Sequence, residues 1–463
     1  MSNKKALSLF SLVMINVVAI DNLKSLTFGA QFGLSLVSYY ILAAVLFFIP
    51  VALVSAECAT GWPSKGGVYI WVREALGKRW AFFVIWIMWI YNVVWYPSQM
   101  IYITGMFWQW LDPAWLDHPY WVFCFSSGLF VFCTLLNRFG MRFSGMVSAS
   151  GAVLGTLLPM AVIIVCGIYW ILSGKGSNID FVVQDMMPSQ QQSGILPFLV
   201  PIIFGLIGIE MSAIHANDVE NPQKTYPRAI FISTVVIIST MLLASLSIAI
   251  ILPQSQVNII FGIVQFFDYV LSELGMSFLK PLFVFLVLWG GIANVATWII
   301  GPSKGMMVAA QDGVIPSWFA KTNQYDVPER ILWVQCLMVM VLGIGIVIFP
   351  LETIYNMLNA ITTQLALMIY ILMFVSVWVL RKYFPHQATY QVPGGKKGLF
   401  LVCLMGSLVS GMVIFLGFMA PDILDIPQEQ HYSFILVLGV MLFTAIPFLL
   451  TRKHNESIRD SAS

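Results

Sequence analysis

A chain of 463 residues that is 59% hydrophobic and 10% charged, with a mean hydropathy of +0.87, has far more apolar sequence than a soluble fold can hide. Hydrophobic runs of spanning length recur from end to end, so the chain reads as an all-α polytopic membrane protein. A net charge of +2 gives no sign of a nucleic-acid partner.

The first apolar run, Ala6–Ile20, is too short to cross a bilayer alone, which takes about 20 residues. It has no small-residue cleavage site and leads straight into more membrane sequence, so no removable signal peptide is expected. The stretch Asn16–Gly33 (NVVAIDNLKSLTFGAQFG) places Asp21, Asn22 and Lys24 together before hydrophobicity resumes. A charge at membrane depth costs at least roughly 2.5–3.5 kcal/mol, so such residues line a cavity or find a partner. The segment therefore reads as a first helix interrupted near its middle, with freed backbone groups and Asp21 facing a buried site. The competing reading is a surface helix followed by a span starting near Ser25.

Further spans are expected at Leu36–Cys58, Ala81–Trp110, Tyr120–Leu136 and Ser148–Leu172. Glu57, at the end of the second, is expected to anchor a loop. The Gly-rich stretch after it, with Lys65, Arg73, Lys78 and Arg79, reads as a cytoplasmic loop with an interfacial helix. The third span carries Pro97, Ser98 and Gln99 near its middle. The sixth, Ile195–Ala216, resembles the first in kind, with Gly205, Gly208 and an intramembrane Glu210. Ala229–Leu252 is the seventh, and an amphipathic outer segment lies around Phe261–Leu274. Pro281–Ala310, with Asn294, Thr297 and Trp298, Ile331–Phe349, Ile354–Leu380, Leu399–Met419 and Phe434–Leu450 complete twelve spans.

Two interrupted segments five spans apart fit inverted five-helix repeats, whose discontinuous helices meet at the bilayer midplane and form the binding site. The expected units are 1–175 (helices 1–5), 190–385 (helices 6–10) and 396–452 (two additional helices). All but Lys24, Lys175 and Lys280 of the 23 Lys and Arg fall on one side. That asymmetry places both termini in the cytoplasm and the chain in the inner (plasma) membrane.

No enzyme constellation is present, no cofactor is implied, and the six cysteines are scattered singly, without metal-ligand spacing. Half-helix amide ends suit a carboxylate, while carbonyl ends and Asp21 suit an ammonium group, which describes a zwitterionic amino acid or a related amine. Trp298, Phe204, Tyr96 and Trp95 are candidate aromatic walls. Gln99, Thr362, Thr363 and Gln364 either line a pore or join helices. Glu210 is a candidate proton or gating group, the alternative being a static hydrogen bond, and His215 reads as a helix-end residue. The candidate substrate-binding set is Asn16, Ile20, Asp21, Asn22, Lys24, Tyr96, Pro97, Gln99, Phe204, Gly205, Ile207, Gly208, Trp298 and Gln364. The expected partners are a small-molecule substrate and the lipid bilayer, with a homodimer left open.

Four stretches carry a resemblance: IPVALVSAECATGWPSKGGVYIWVREALG, GLIGIEMSAIHANDVENPQKTYPRA, WIIGPSKGMMVAAQDGVIP and YQVPGGKKG. In this order they resemble the amino acid–polyamine–organocation superfamily, in particular its bacterial glutamate/GABA antiporter branch. The resemblance implies a five-plus-five inverted repeat (the LeuT-like fold) with two additional helices, and alternating-access exchange of amino acids or their decarboxylated amines. It makes Phe204, Ile207 and Gly208 a substrate wall, Glu210 the gating acid, Trp298 an aromatic that packs on substrate, and Pro97 with its neighbours the third-helix wall. Where relatives carry a small-residue GSG at the first-helix break, this chain has Ala19, Ile20 and Asp21. A negative side chain there repels a carboxylate unless it is protonated or paired with Lys24, which favours a neutral, basic or amine substrate. The fifth span lacks the lysine that some proton-coupled relatives use. The expected function is a secondary active amino-acid transporter working as an antiporter. The alternatives are a proton- or sodium-coupled symporter and, in another class, a nontransporting nutrient sensor.

Overall fold

The first helix does not run through. In the computed structural model, α1 (Leu9–Ile20) stops where Asp21 takes ψ 126°, and α2 (Lys24–Ala30) restarts at 67° to it. Breaking a helix frees carbonyls on one side and amides on the other, and these must be satisfied locally at membrane depth. Asn22 does this for both halves. Its Nδ2 donates to the Ile20 carbonyl at 3.0 Å, and its Oδ1 accepts the Ser25 N–H at 2.9 Å.

The structure describes residues 8–62, 67–139, 141–187, 196–210, 222–422 and 429–462. Among them, ten helices are long and apolar enough to cross a bilayer, and the bent pair makes eleven. The sixth expected span is described only as α10 (Leu199–Phe204) and the turn that follows it to 210. The expected count of twelve therefore rests partly outside the described residues, as does His215.

The second span runs Gly33–Gly61, longer at both ends than its apolar core suggests. It contains α3 (Leu36–Ala43), a π turn (Ala44–Phe48) and α4 (Ile49–Gly61). A second π turn, Val153–Leu157, separates α8 (Met141–Ala152) from α9 (Leu158–Leu172). Both wide turns sit just before a proline, Pro50 and Pro159, which has no N–H to offer the preceding turn and crowds its carbonyl.

The axis of the bundle is α6 (Lys78–Leu111), almost wholly buried. It packs against α13 (Lys280–Gln311) and α16 (Leu351–Tyr383). On the other flank, α11 (Pro222–Ile251) lies against α1, α2 and α9. The remaining spans are α7 (Pro119–Asn137), α14 (Glu329–Gly343) with the short α15 (Gly345–Ile348), α17 (Gly395–Leu416) and α18 (Glu429–Ala462). The two expected amphipathic segments are helices: α5 (Val68–Leu76) buries Val68, Trp71 and Val72, and α12 (Gly262–Glu273) buries Ile263, Phe266, Phe267 and Val270.

Glu57, at the end of α4, forms a two-pronged ion pair with Arg381 near the end of α16 and accepts the Val392 N–H at 2.9 Å. Arg381 also donates to the Gly395 carbonyl at 3.1 Å. Both charged groups are buried, so the pair fastens the loop between α16 and α17 to the end of α4.

Candidate functional site at the first-helix break

A cavity with about 870 Å³ of empty space, its open mouth included, lies where α1, α2, α6, α10 and α13 converge. The first-helix break supplies Ala19, Ile20, Asn22, Leu23, Lys24, Ser25 and Phe28 to its wall. From α6 come Tyr91, Asn92, Trp95, Gln99 and Tyr102, at the three- and four-residue spacing of one helix face. The α10 segment adds Pro201, Phe204 and Ile207, α13 adds Gly290, Gly291, Asn294 and Trp298, and α16 adds Asn359.

The close approach of Gly155 to Gly290 shapes one side: a Cβ built on Gly155 would come within 2.3 Å of the Gly290 Cα. Gly208 adopts φ +127°, a conformation that glycine alone tolerates readily. Its N–H donates to the Tyr370 hydroxyl at 3.0 Å, and that hydroxyl donates to Glu210 Oε2 at 2.6 Å. Glu210 thus ties the turn that follows α10 onto α16, outside the cavity lining.

Polar groups in the lining have two characters. Lys24 is 8% exposed, donates from Nζ to Ser98 Oγ at 2.7 Å, and stands over the rings of Tyr355 (5.0 Å) and Trp95 (5.9 Å). No ion pair among the described residues includes it. Asn294 Oδ1 and the Tyr102 hydroxyl are buried atoms of the lining with no hydrogen-bond partner. A cation without its anion and acceptors without donors are the groups that a zwitterionic guest would satisfy.

Of the sequence-derived candidates, Ile20, Asn22, Lys24, Gln99, Phe204, Ile207 and Trp298 come together in this wall. Others sit elsewhere. Asp21 is 2% exposed but turns toward α11, where its carboxylate oxygens lie 3.1 and 3.3 Å from Thr240 Oγ1. It neither lines the cavity nor pairs with Lys24, because the two side chains leave the break in different directions. Asn16 also faces α11, donating to Ser233 Oγ at 3.0 Å. Tyr96 donates to the Trp298 carbonyl at 2.9 Å and so positions α13 from behind the wall. Pro97 is within α6, off the cavity-facing side. Gly205 is where α10 meets α2, since a Cβ there would come within 2.5 Å of Ser25 Oγ. Gln364 donates to the Ile414 carbonyl of α17 at 2.8 Å and joins helices rather than lining the cavity. Tyr91, Asn92, Tyr102 and Asn359 line the cavity without having been singled out from sequence; the spacing of the first three with Trp95 and Gln99 is the signal that finds them.

The amino acid permease profile matches residues 6–442. The chain belongs to that family. An uncharacterized transporter of Legionella pneumophila is 40% identical to this permease over 458 residues, 98% of each chain. A glutamate/gamma-aminobutyrate antiporter of Lactococcus lactis is 27% identical, across 99% of the permease and 93% of the relative. A probable agmatine/putrescine antiporter of the same species is 23% identical, across 98% and 96%. The permease is thus a multi-pass membrane transporter and not an enzyme.

Proposed function

We infer that the permease is an amino-acid antiporter whose substrates carry a carboxylate, bound in the cavity at the first-helix break with that carboxylate against Lys24. The observation that carries this reading is the buried Lys24 side chain on the cavity wall, its Nζ bonded to Ser98 and outside every ion pair among the described residues. A buried charge is costly until an opposite charge meets it, so a carboxylate entering the cavity stabilises both groups. Asn294 Oδ1 and the carbonyls at the end of α1 suit the substrate ammonium. Asp21 faces away, so it does not repel an acidic substrate from this position.

The comparison with the Lactococcus glutamate/gamma-aminobutyrate antiporter supports exchange, and both of that relative's named substrates carry a carboxylate. A diamine carries none and would meet Lys24 with like charge. Exchange would proceed by alternating access, the two five-helix units 1–175 and 190–385 rocking about the cavity, with both termini in the cytoplasm. The test is counterflow in liposomes loaded with glutamate, γ-aminobutyrate, neutral amino acids or putrescine. Carboxylate-bearing substrates are expected to exchange and putrescine to fail. Uptake into vesicles holding no substrate would overturn exchange, and efficient putrescine counterflow would overturn the role of Lys24.

A further inference from the structure

Asp21 is a buried acid that the cavity does not use. It ends α1, and its N–H bonds the Val17 carbonyl at 2.8 Å. Its only side-chain partner among the described residues is Thr240 Oγ1. That hydroxyl also lies 2.9 Å from the Val236 carbonyl and 3.0 Å from the Ile237 carbonyl, where it closes back on its own helix. A hydroxyl has one hydrogen, so it cannot serve all four acceptors. With the hydrogen on the helix carbonyl, an ionised Asp21 would have no donor at all. With a proton on Asp21, the acid donates to Thr240 Oγ1, Thr240 donates to Val236, and every group is satisfied.

Among the described residues no other charge takes the place of that proton. Lys24 on α2 is turned to Ser98, and Glu210 beyond α10 is bound by Tyr370. Glu57 on α4 pairs with Arg381. Near Asp21, α11 presents hydroxyls from Ser233, Thr240 and Ser245, while its cations Lys224 and Arg228 are exposed and lie three turns or more before Thr240. Tyr40 on α3 is close enough to feel the Asp21 charge, and it is an acid as well. Among the described residues Asp21 is joined here by no group of carboxylates, His or Cys that could hold a metal ion with it.

We propose that Asp21 and Thr240 form a proton-binding site, separate from the substrate cavity, that loads and releases a proton as the first-helix break moves against α11. Transport is then coupled to proton movement. Because α11 packs on both α1 and α2, any change in the angle of the break changes the Asp21–Thr240 contact. The proton arrives from and returns to water, and no covalent chemistry is involved. This proposal rests on the transporter reading above, and its test has one arm that does not.

In proteoliposomes with a trapped pH dye, clamped membrane potential, an imposed pH gradient and glutamate on both sides, the wild type is expected to show glutamate-dependent proton flux down the gradient. Asp21→Asn, whose amide replaces the protonated acid as donor to Thr240, is expected to lose that flux while still exchanging labelled glutamate. Undiminished proton flux in Asp21→Asn would overturn the proposal. So would a substrate flux that requires sodium and moves no protons. The second arm is infrared spectroscopy of the purified protein without substrate. The carbonyl band of a protonated carboxyl is expected to weaken in Asp21→Asn and to shift to higher frequency in Thr240→Val, where the acid loses its partner. A spectrum unchanged in both variants would overturn the site. Absence of glutamate exchange in the wild type would instead count against the substrate assignment.

Discussion

Asp21 and Lys24, three residues apart at the same break, belong to different walls: the carboxyl meets Thr240 of α11, and the ammonium meets Ser98 of α6. Had they paired, the break would be electrically closed and Lys24 would have no charge to offer a guest. Their separation divides the break into a cavity side and a helix-seven side, and the consequences can be tested one residue at a time.

Lys24→Met keeps the length of the side chain and removes its charge. Truncating one partner of a desolvated charge pair costs about 2–5 kcal/mol, so kcat/KM for carboxylate-bearing substrates is expected to fall at least ~30-fold. Competition by decarboxylated diamines, negligible in the wild type, should rise. Initial rates of labelled uptake with both classes of competitor check this, and an unchanged rate would remove Lys24 from the site.

Asn22→Ala should weaken the break itself. The side chain holds the Ile20 carbonyl and the Ser25 N–H together, and each group left bare at membrane depth costs about 1–3 kcal/mol. A lowered unfolding temperature in detergent is expected, together with slower exchange. Asn22→Ser, which can serve one group but not both, should fall between. Thermal unfolding followed by tryptophan fluorescence measures the series.

These two residues also mark what the sequence makes legible. An apolar run interrupted by Asp21, Asn22 and Lys24 reads as a broken helix or as a surface helix ending at the membrane edge, and it is the 67° bend between α1 and α2 that decides for the first. The direction each side chain takes is a different matter. Within a break there is no 3.6-residue period to assign faces, so the sequence does not say which wall Asp21 meets. Gln364 shows a related limit: Thr353–Leu367 of α16 is buried without a break, so no apolar stripe says which polar residue meets α17 and which meets the cavity. On α6 the period was informative, since Tyr91, Trp95, Gln99 and Tyr102 share one face. Tyr96 and Pro97 lie beside that face in sequence and behind it in space. The approach of Gly155 to Gly290, which shapes the cavity, joins residues far apart in the chain and is not visible locally.

Breaking the Glu57–Arg381 pair should destabilise the permease without touching the cavity. Removing one partner of a buried ion pair costs about 3–5 kcal/mol, because the other charge stays buried and bare. Glu57→Gln also weakens the hold on the Val392 N–H. A markedly lower unfolding temperature is expected, with substrate affinity close to wild type in the protein that remains folded. Pairing Glu57→Gln with Arg381→Met should recover part of the loss, and a double-mutant cycle measures how much.

Glu210 offers the contrast with Asp21. It is tied by the Tyr370 hydroxyl to the N–H of Gly208, at the positive-φ turn that follows α10. A gating carboxyl at this place would set how readily the segment after α10 parts from α16, and so the rate. A carried proton instead fixes how many protons cross per substrate. Glu210→Gln is therefore expected to flatten the pH profile of exchange at equal pH on both sides while leaving the proton-to-substrate ratio unchanged. Tyr370→Phe, which strips the hydroxyl from both Glu210 and Gly208, should disturb the same profile and cost about 1–3 kcal/mol of stability. Dye-reported proton flux and labelled uptake, measured on the same vesicles, separate the two roles. A Glu210→Gln protein that keeps the wild-type pH profile would leave the hydrogen bond to Tyr370 as a static tie.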